Sequence, residues 1–377
     1  MATILVISFT DLKRDPRVRR QIEALRTHHA VIAAGTGDPG MPDVQFLGCQ
    51  RSVRTLAAKC AEGVELLLRR YETHYWRRSH VQELYHKLTG IEFDVVIAND
   101  IEALPLAIRL AERRPVILDA HEYAPKELED QLIWRLFHKG HATYICESYV
   151  RKTVRVLTVA DGIAEEYRRI YGVKPIIINN AASSYTLAPR KTSPRPIRMV
   201  HHGHAMPSRR IENMIQIMQG LDDRFEFDFM LIPSFPQYLK RLKAQASTDR
   251  RIRFLPPVSM EQLVPFSNDY DIGLYLLQPS NFNNVHALPN KFFEFLQARL
   301  AVAIGPSPEM AQIVRQFGCG VVAEDFSAAA LAHELRQLTP ADIDRMKAGS
   351  DRAAQVHTAE RNAEKLREVV ASVMKEL

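Results

Sequence analysis

The sequence predicts an α/β protein built as two doubly wound parallel-sheet domains in tandem, and three observations carry that prediction. Short β-branched runs alternate with helical patterns along the chain, which is the pattern of strand–helix–strand units covered on both sheet faces. A Ser- and Pro-rich stretch after Asn180 divides the runs into two series. The 377 residues suffice for two cores and are long for one.

In chain order the first series is ILVIS, AVIAA, VQFLG, DVVIAND, PVILDA, VLTVA and PIIIN. Each reads as a buried strand, because a parallel strand covered on both faces is apolar at successive positions instead of alternate ones. The stretch AASSYTLAPRKTSPRP then reads as a connection between domains. IRMVHHG, FEFDFMLI, IRFLPPV, DIGLYLL, LAVAIG and CGVVAE form the second series. From about Pro340 the chain is charged and helical, without strand signal. The expected domains are 1–185, a linker at 186–196, a second domain at 197–345, and a terminal helix at 346–377 packing across both. Two such sheets in tandem put their carboxyl ends on facing sides of a cleft, where ligands of these folds bind.

Composition narrows the function. With 46% hydrophobic and 25% charged residues, the chain lies outside the disordered, collagenous and disulfide-scaffold classes. No apolar run reaches the length of a membrane span, and MATILVISF enters a strand directly, so neither a transmembrane helix nor a secretory signal is expected. Cys49, Cys60, Cys146 and Cys319 are far apart and form no CxxC pair, as in a cytoplasmic protein with reduced thiols. The net charge of +6 suits an anionic partner. It is spread over both halves, and no RNA-binding motif occurs, so nucleic acid is not expected. The sequence also lacks GxGxxG, a Walker lysine loop, HExxH, GxSxG and an EF-hand loop. No metal site is expected; His28–His29 and His201–His202 lack ligand partners at metal spacing.

The residues richest in chemistry follow the strand runs. In ALPNKFFEFL, Pro289 sits where a helix can begin, with Asn290 and Lys291 at its positive end. That end makes a seat for phosphate, and Glu294, one turn on, is placed to accept hydrogen bonds from a ribose diol. The alternative is a surface helix with solvated charges. Asn99–Asp100 and His121–Glu122 end adjacent strands, and a carboxylate or imidazole there suits proton transfer or an oxocarbenium-like centre. As an alternative, Asp100 and Glu122 serve as helix caps. Arg51 to Lys87 holds eight basic residues against four glutamates. Leu56, Cys60, Val64, Leu67 and Tyr71 form a helical stripe there, followed by Tyr75, Trp76 and Tyr85. Such a segment, 51–88, fits either an anionic membrane surface or a sheet face.

Several of these stretches resemble one family. ALPNKFFEFLQARLAVAIG is similar to the LPNKxFEY motif of GT-B fold glycosyltransferases, above all the large retaining family four. FTDLKRDPRVRRQIEAL, LDAHEYAPKE, VADGIAEEYRRIYGVKPIIINNA and HHGHAMPSRRIENMIQIM resemble further segments of that family, in the family's order. The resemblance implies the GT-B fold: an N-terminal acceptor-side Rossmann-like domain and a C-terminal domain for a nucleotide-diphosphate sugar. It implies that Gly203 brings backbone to the donor diphosphate, that Arg209 or Arg210 supplies a cation, and that Glu294 binds the ribose. Arg210 stands where the motif has glycine, and His286 where the family often has a second glutamate that touches the hexose. His286, Asn283 and Asn284 are candidates for that contact. The resemblance makes His121 the contact for the transferred sugar, with Asp100 and Glu122 competing as base. It also implies that the loop bearing Asp15, Arg17, Arg19 and Arg20 faces the acceptor, and that no metal or other cofactor is required.

The expected function is transfer of a sugar from a nucleotide sugar to a hydroxyl of a glycan, glycolipid or lipid-linked acceptor. The family implies retention of configuration, a role in cell-envelope polysaccharide or glycoconjugate synthesis, and a place in the cytoplasm at the inner face of the membrane. The alternatives are a sugar-nucleotide epimerase of the same architecture and a non-catalytic nucleotide-sugar binding protein.

Overall fold

The structure, a computed structural model, describes residues 1–50 and 55–376. Arg51 and Arg54 of the expected basic stretch, with the side chains of Leu56 and Lys59, lie outside the described residues. The chain divides into two compact units. Unit 1 comprises Met1–Asn179, Asn281–Asn283 and Asn362–Leu377, and unit 2 comprises Asn180–Ser280 and Asn284–Arg361.

Unit 1 holds seven strands: β1 (Thr3–Asp11), β2 (Ala30–Thr36), β3 (Val44–Gly48), β4 (Val95–Asn99), β5 (Val116–Ala120), β6 (Arg155–Thr158) and β7 (Ile176–Ile177). They form one parallel sheet in the order β3-β2-β1-β4-β5-β6-β7. Every residue of β4 and β5 is buried, as continuous apolar runs require in a sheet covered on both faces. The order turns back between β1 and β4, so the crevice at their carboxyl ends is the unit's natural ligand position.

Unit 2 repeats the plan with β8 (Ile197–His204), β9 (Phe225–Ile232), β10 (Ile252–Leu255), β11 (Ile272–Tyr275), β12 (Ala301–Ile304) and β13 (Gly320–Val322). Its parallel sheet has the order β10-β9-β8-β11-β12-β13, turning back between β8 and β11. The helix Asn290–Gln297 packs closely on β11 because Gly273 leaves room for a ring; a Cβ there would lie 2.4 Å from Phe295 Cγ.

Three expectations about organisation change. The irregular stretch 180–196 is part of unit 2 and is held at several points instead of hanging free. Tyr185 N donates to Gln297 Oε1 (3.2 Å), Thr192 N donates to Asp344 (2.9 Å), and Arg190 reaches Asn268 (3.1 Å). The charged terminal stretch is two helices, Pro340–Val356 and Ala359–Lys375, and not one. The first opens with a capping box of Thr339 and Asp342 and lies wholly in unit 2. From Asn362 the second helix belongs to unit 1, whose core takes Leu366, Val369, Val370 and Val373.

The helix Pro340–Val356 is fixed by a buried charge. Lys347, 1% exposed, donates to Asp271 (2.5 Å) and to the Arg190 carbonyl (3.1 Å), while the other Asp271 oxygen accepts from Arg198 N (2.8 Å). Removing one partner of such a pair strands the other charge in the interior. Lys347→Met is therefore expected to cost about 3–5 kcal/mol in the urea-unfolding transition of unit 2. The double variant with Asp271→Asn recovers part of that loss; additive losses would mean the two groups do not act as a pair.

Candidate active site

At the carboxyl ends of β4 and β5, unit 1 concentrates charge around His121. Its Nδ1 lies 3.2 Å from Asp100 Oδ2, and its own backbone N–H donates to Asp100 Oδ1 (3.0 Å). Its Nε2 faces Asn99 Oδ1 at 3.4 Å and Asp119 Oδ2 at 3.8 Å. Burial favours the neutral ring, but the Asp100 charge and the contacts with Asp100 and Asp119 outweigh it and push His121 up to about 10. The ring is therefore an imidazolium with both N–H groups directed at oxygens.

Asp100 reaches this position with a backbone φ of +60°, a conformation costly for a residue with a Cβ and one that Asp tolerates better than most. Neither alternative cap reading describes the structure. Asn99 is the N-cap of the helix Asp100–Ala111, and the Asp100 carboxylate turns to His121. Asp100 orients the imidazolium, and both its oxygens are engaged. Glu122 is exposed and accepts from Asn283 Nδ2 (3.3 Å).

The arginine loop differs from expectation. Arg17 was expected at the acceptor, but it is buried and forks onto Asp119, with Nε 3.1 Å from Oδ2 and Nη2 on the other oxygen. Its Nη1 donates to the Ile178 carbonyl (2.8 Å). Gln21 adds a third donor to Asp119 (2.9 Å) and accepts from Asn99 Nδ2 (2.9 Å). Although burial works against the Asp119 charge, Arg17 and His121 hold its carboxyl well below the usual range. Asp15 caps the helix Pro16–Arg26, accepting from Arg17 N (3.0 Å) and Val18 N (3.2 Å). Arg19 donates to the Pro39 carbonyl (2.9 Å) and lies beside Glu23. The loop supports the His121 site from behind, because Asp119, read from sequence only as a strand residue, draws Arg17 inward.

Unit 2 gathers a second group where β8 and β11 end. Gly203 has φ +124°, and a Cβ there would meet Lys291 Nζ at 3.1 Å, so only glycine leaves this approach open. Lys291 Nζ lies 3.2 Å from His201 Nε2 and 4.5 Å from the centroid of the Tyr275 ring. His201 Nδ1 donates to the Leu274 carbonyl (2.9 Å), and the ring stacks on Tyr275. Arg209 Nη1 donates to the Tyr275 hydroxyl (3.5 Å). Burial, reinforced by Arg209 and opposed by Glu294, pulls the Lys291 ammonium down to about 7.

Arg210 does not join this group; it is exposed with φ +45°, which explains why glycine suits that position in the motif. Glu294 lies 3.6 Å from His202 Nε2, a buried atom without a hydrogen-bond partner among the described residues. Pro289 is the cap of the helix Asn290–Gln297, one residue before the position expected, and Asn290 opens the helix. His286 Nδ1 lies 3.0 Å from the buried carboxylate of Glu309. Asn283 belongs to unit 1, where it pairs with Tyr123 (2.8 Å), while Asn284 donates to Ser280 (2.8 Å) in unit 2. No group of three or more His, Cys, Asp or Glu able to hold a metal occurs among the described residues.

The charge state of His121 is open to direct test. Its ring is expected to stay protonated through pH 8 by NMR, titrating near 10, and Asp100→Asn is expected to lower that value. Because the folded value is raised above 6.5, the stabilisation is full below pH 6.5 and is lost as pH rises through about 10. A wild-type ring that titrates near 6.5 contradicts this arrangement.

No protein-family model and no curated protein matches the sequence. Solved structures match the whole chain in shape. Sucrose-phosphate synthase from Thermosynechococcus elongatus is similar with a TM-score of 0.77, covering 100% of both chains at 13% identity. Alr3699/HepE of Anabaena, solved with UDP and glucose, gives 0.72 over 99% of this chain and 100% of that one, at 12% identity. A glycosyltransferase from Rickettsia africae gives 0.72 at 13% identity, over 100% of this chain and 99% of its own. With its two parallel sheets in tandem and this likeness over its full length, the chain has the GT-B fold.

Proposed function

We propose that the protein is a glycosyltransferase in which unit 2 binds a nucleoside-diphosphate sugar and unit 1 carries the residues that meet the sugar and its acceptor. The observation that carries this reading is the convergence of Arg209 and Lys291 on Tyr275 beside Gly203, with Glu294 one turn along the same helix. Two cations against an open backbone suit a diphosphate, and the carboxylate suits the ribose hydroxyls. The solved complex of HepE with UDP-glucose supports the same ligand class.

In this reading Arg209 and Lys291 stabilise the charge that develops on the departing nucleoside diphosphate, and no metal or other cofactor is needed. His121 turns its imidazolium charge toward the transferred sugar, Asp100 holds it in place, and Asp119 with Arg17 fixes the strand end beneath. Both Asp100 oxygens face His121 and Glu122 faces Asn283, so the acceptor proton passes to a phosphate oxygen of the donor. His286, turned by Glu309, offers its Nε2 to the hexose. Arg19 and Arg20 remain candidates for acceptor contact. The motif resemblance supports retention, a cytoplasmic location, and a glycan or lipid-linked acceptor of the cell envelope.

Thermal-shift measurements with UDP, GDP, ADP and CMP test the donor site. One nucleoside diphosphate is expected to stabilise the wild type, by about 2.7 kcal/mol at a hundredfold excess over Kd, and to leave Glu294→Ala and Arg209→Ala unmoved. No shift with any nucleotide at millimolar concentration would overturn the reading.

Lys291 adds a pH signature. A bound diphosphate favours the ammonium, so affinity is greatest below pH 7 and falls as pH rises through the free-state value of about 7. Calorimetry at pH 8 in buffers of different ionisation enthalpy is expected to show proton uptake on binding, and Lys291→Met to abolish it.

A further inference from the structure

Two adjacent histidines near the end of β8 serve the helix Asn290–Gln297 in opposite ways. His201 stacks on Tyr275 and donates from Nδ1 to the Leu274 carbonyl, so its Nε2 meets the Lys291 ammonium as an acceptor, at 3.2 Å. His202 turns instead to Phe295, its ring in a T-shaped contact with 5.1 Å between centroids. Phe295 follows Glu294 on the same helix, one turn beyond Lys291.

The His202 ring is 5% exposed, and its Nε2 is buried with no hydrogen-bond partner among the described residues. That nitrogen faces Glu294 Oε2 at 3.6 Å, just outside hydrogen-bond range. It has given up water without gaining a partner, and such groups are rare in folded proteins. Packing does not account for it, because a phenylalanine would fill the same place beside Phe295 without that loss. Burial and the Lys291 charge pull the pKa of the ring down to about 3, so it is neutral and holds one ring hydrogen. A carboxylate only accepts, so the hydrogen that faces Glu294 belongs on Nε2. The two neighbours are thus opposite tautomers: His201 offers a lone pair to an ammonium, and His202 offers an N–H to a carboxylate.

We propose that His202 is the positioning residue of Glu294, its Nε2–H closing onto Oε2 when a nucleoside diphosphate is bound and fixing the carboxylate toward the ribose. This assignment rests on the reading of unit 2 as the seat of a nucleoside diphosphate. Going from 3.6 Å to the roughly 2.8 Å of a charge-assisted bond is within the swing of the Glu294 side chain. One lone pair of Oε2 then belongs to His202, and those that remain on the carboxylate take the two ribose hydroxyls. A carboxylate held in this way distinguishes ribose from 2′-deoxyribose, because the missing hydroxyl leaves an acceptor without its donor. A carboxylate free to turn turns to water instead, and the distinction weakens.

Calorimetric titration of the full chain with UDP, GDP and ADP, each beside its 2′-deoxy counterpart, tests the assignment. For the ribonucleotide that binds, the wild type is expected to favour the ribo form by about tenfold or more. His202→Phe keeps a ring against Phe295 and removes the N–H. It is expected to lose about tenfold on the ribonucleotide and little on the deoxy form, with a melting temperature unchanged or raised. His202→Gln, whose amide nitrogen reaches the place of Nε2, is expected to keep the wild-type preference, and His202→Asn, whose amide stops short of it, to lose it. On a Glu294→Ala background His202→Phe adds no further loss. Nitrogen NMR of the free chain at neutral pH is expected to find the ring hydrogen of His202 on Nε2 and that of His201 on Nδ1. Wild-type preference in His202→Phe or His202→Asn, equal weakening of both nucleotide forms, or an Nδ1–H tautomer at His202 overturns the assignment while leaving the donor site standing. Failure of every nucleotide to bind the wild type overturns the donor site and this assignment together.

Discussion

A carboxylate at the end of a fully buried strand sets the terms for unit 1. Asp119 has lost its water, and an isolated charge there would be prohibitively costly, so the surrounding chain must supply donors. Arg17 and Gln21 do so from the helix Pro16–Arg26, 102 and 98 positions away, and His121 from just past the same strand. The helix Pro16–Arg26 is thereby locked to β5, the Arg17 fork reaches the Ile178 carbonyl beyond β7, and His121 lies between two negative charges. Contacts on both ring nitrogens hold the imidazolium in one orientation.

Unit 2 solves the opposite problem. Its site concentrates cations, and the surrounding groups keep it open to an anion instead of neutralising it. Tyr275 presents a ring face and a hydroxyl, and His201 presents a neutral nitrogen. Glu294 opposes the lowering of Lys291. Both sites lie at the carboxyl ends of their sheets, one at β4 and β5 and the other at β8 and β11, with opposite sign of charge around the central group.

The strands were legible because a doubly covered parallel sheet leaves few alternatives to apolar runs, and the thirteen runs correspond to thirteen strands. His121 was singled out by its place at the end of a strand run, Lys291 by the helix start after Pro289, and Gly203 by the family resemblance. Residues whose roles depend on distant partners were not legible. Arg17 reads as a free loop cation until Asp119, 102 positions away, is beside it. Tyr275 and Leu274 look like ordinary strand residues, yet Tyr275 faces Lys291 and Arg209, and the Leu274 carbonyl accepts from His201. Glu309, 23 positions beyond His286, gives no local sign of its pairing. The six-residue helix Leu132–Phe137 is too short for periodicity to reveal that its apolar side faces out. The terminal helices merged in the sequence because His357 and Thr358 interrupt them without glycine or proline.

The helix Asn290–Gln297 is tied down at the end away from its charged residues. Lys291 and Glu294 stand near one end, and Gln297 at the other accepts from Tyr185 N and donates to the Ala354 carbonyl (2.8 Å). Arg299, just past that end with φ +61°, ties Asp351 (2.7 Å) to the Tyr185 carbonyl (3.0 Å). Eight residues make a rod of about 12 Å, so a tilt of about 10° about the tied end moves the charged end by about 2 Å. Under the proposed function, selection for a different nucleotide sugar thus has a second place to act. Changes at 185, 297, 299 or 351 can re-aim the charged end of the rod while every residue that touches the ligand stays the same.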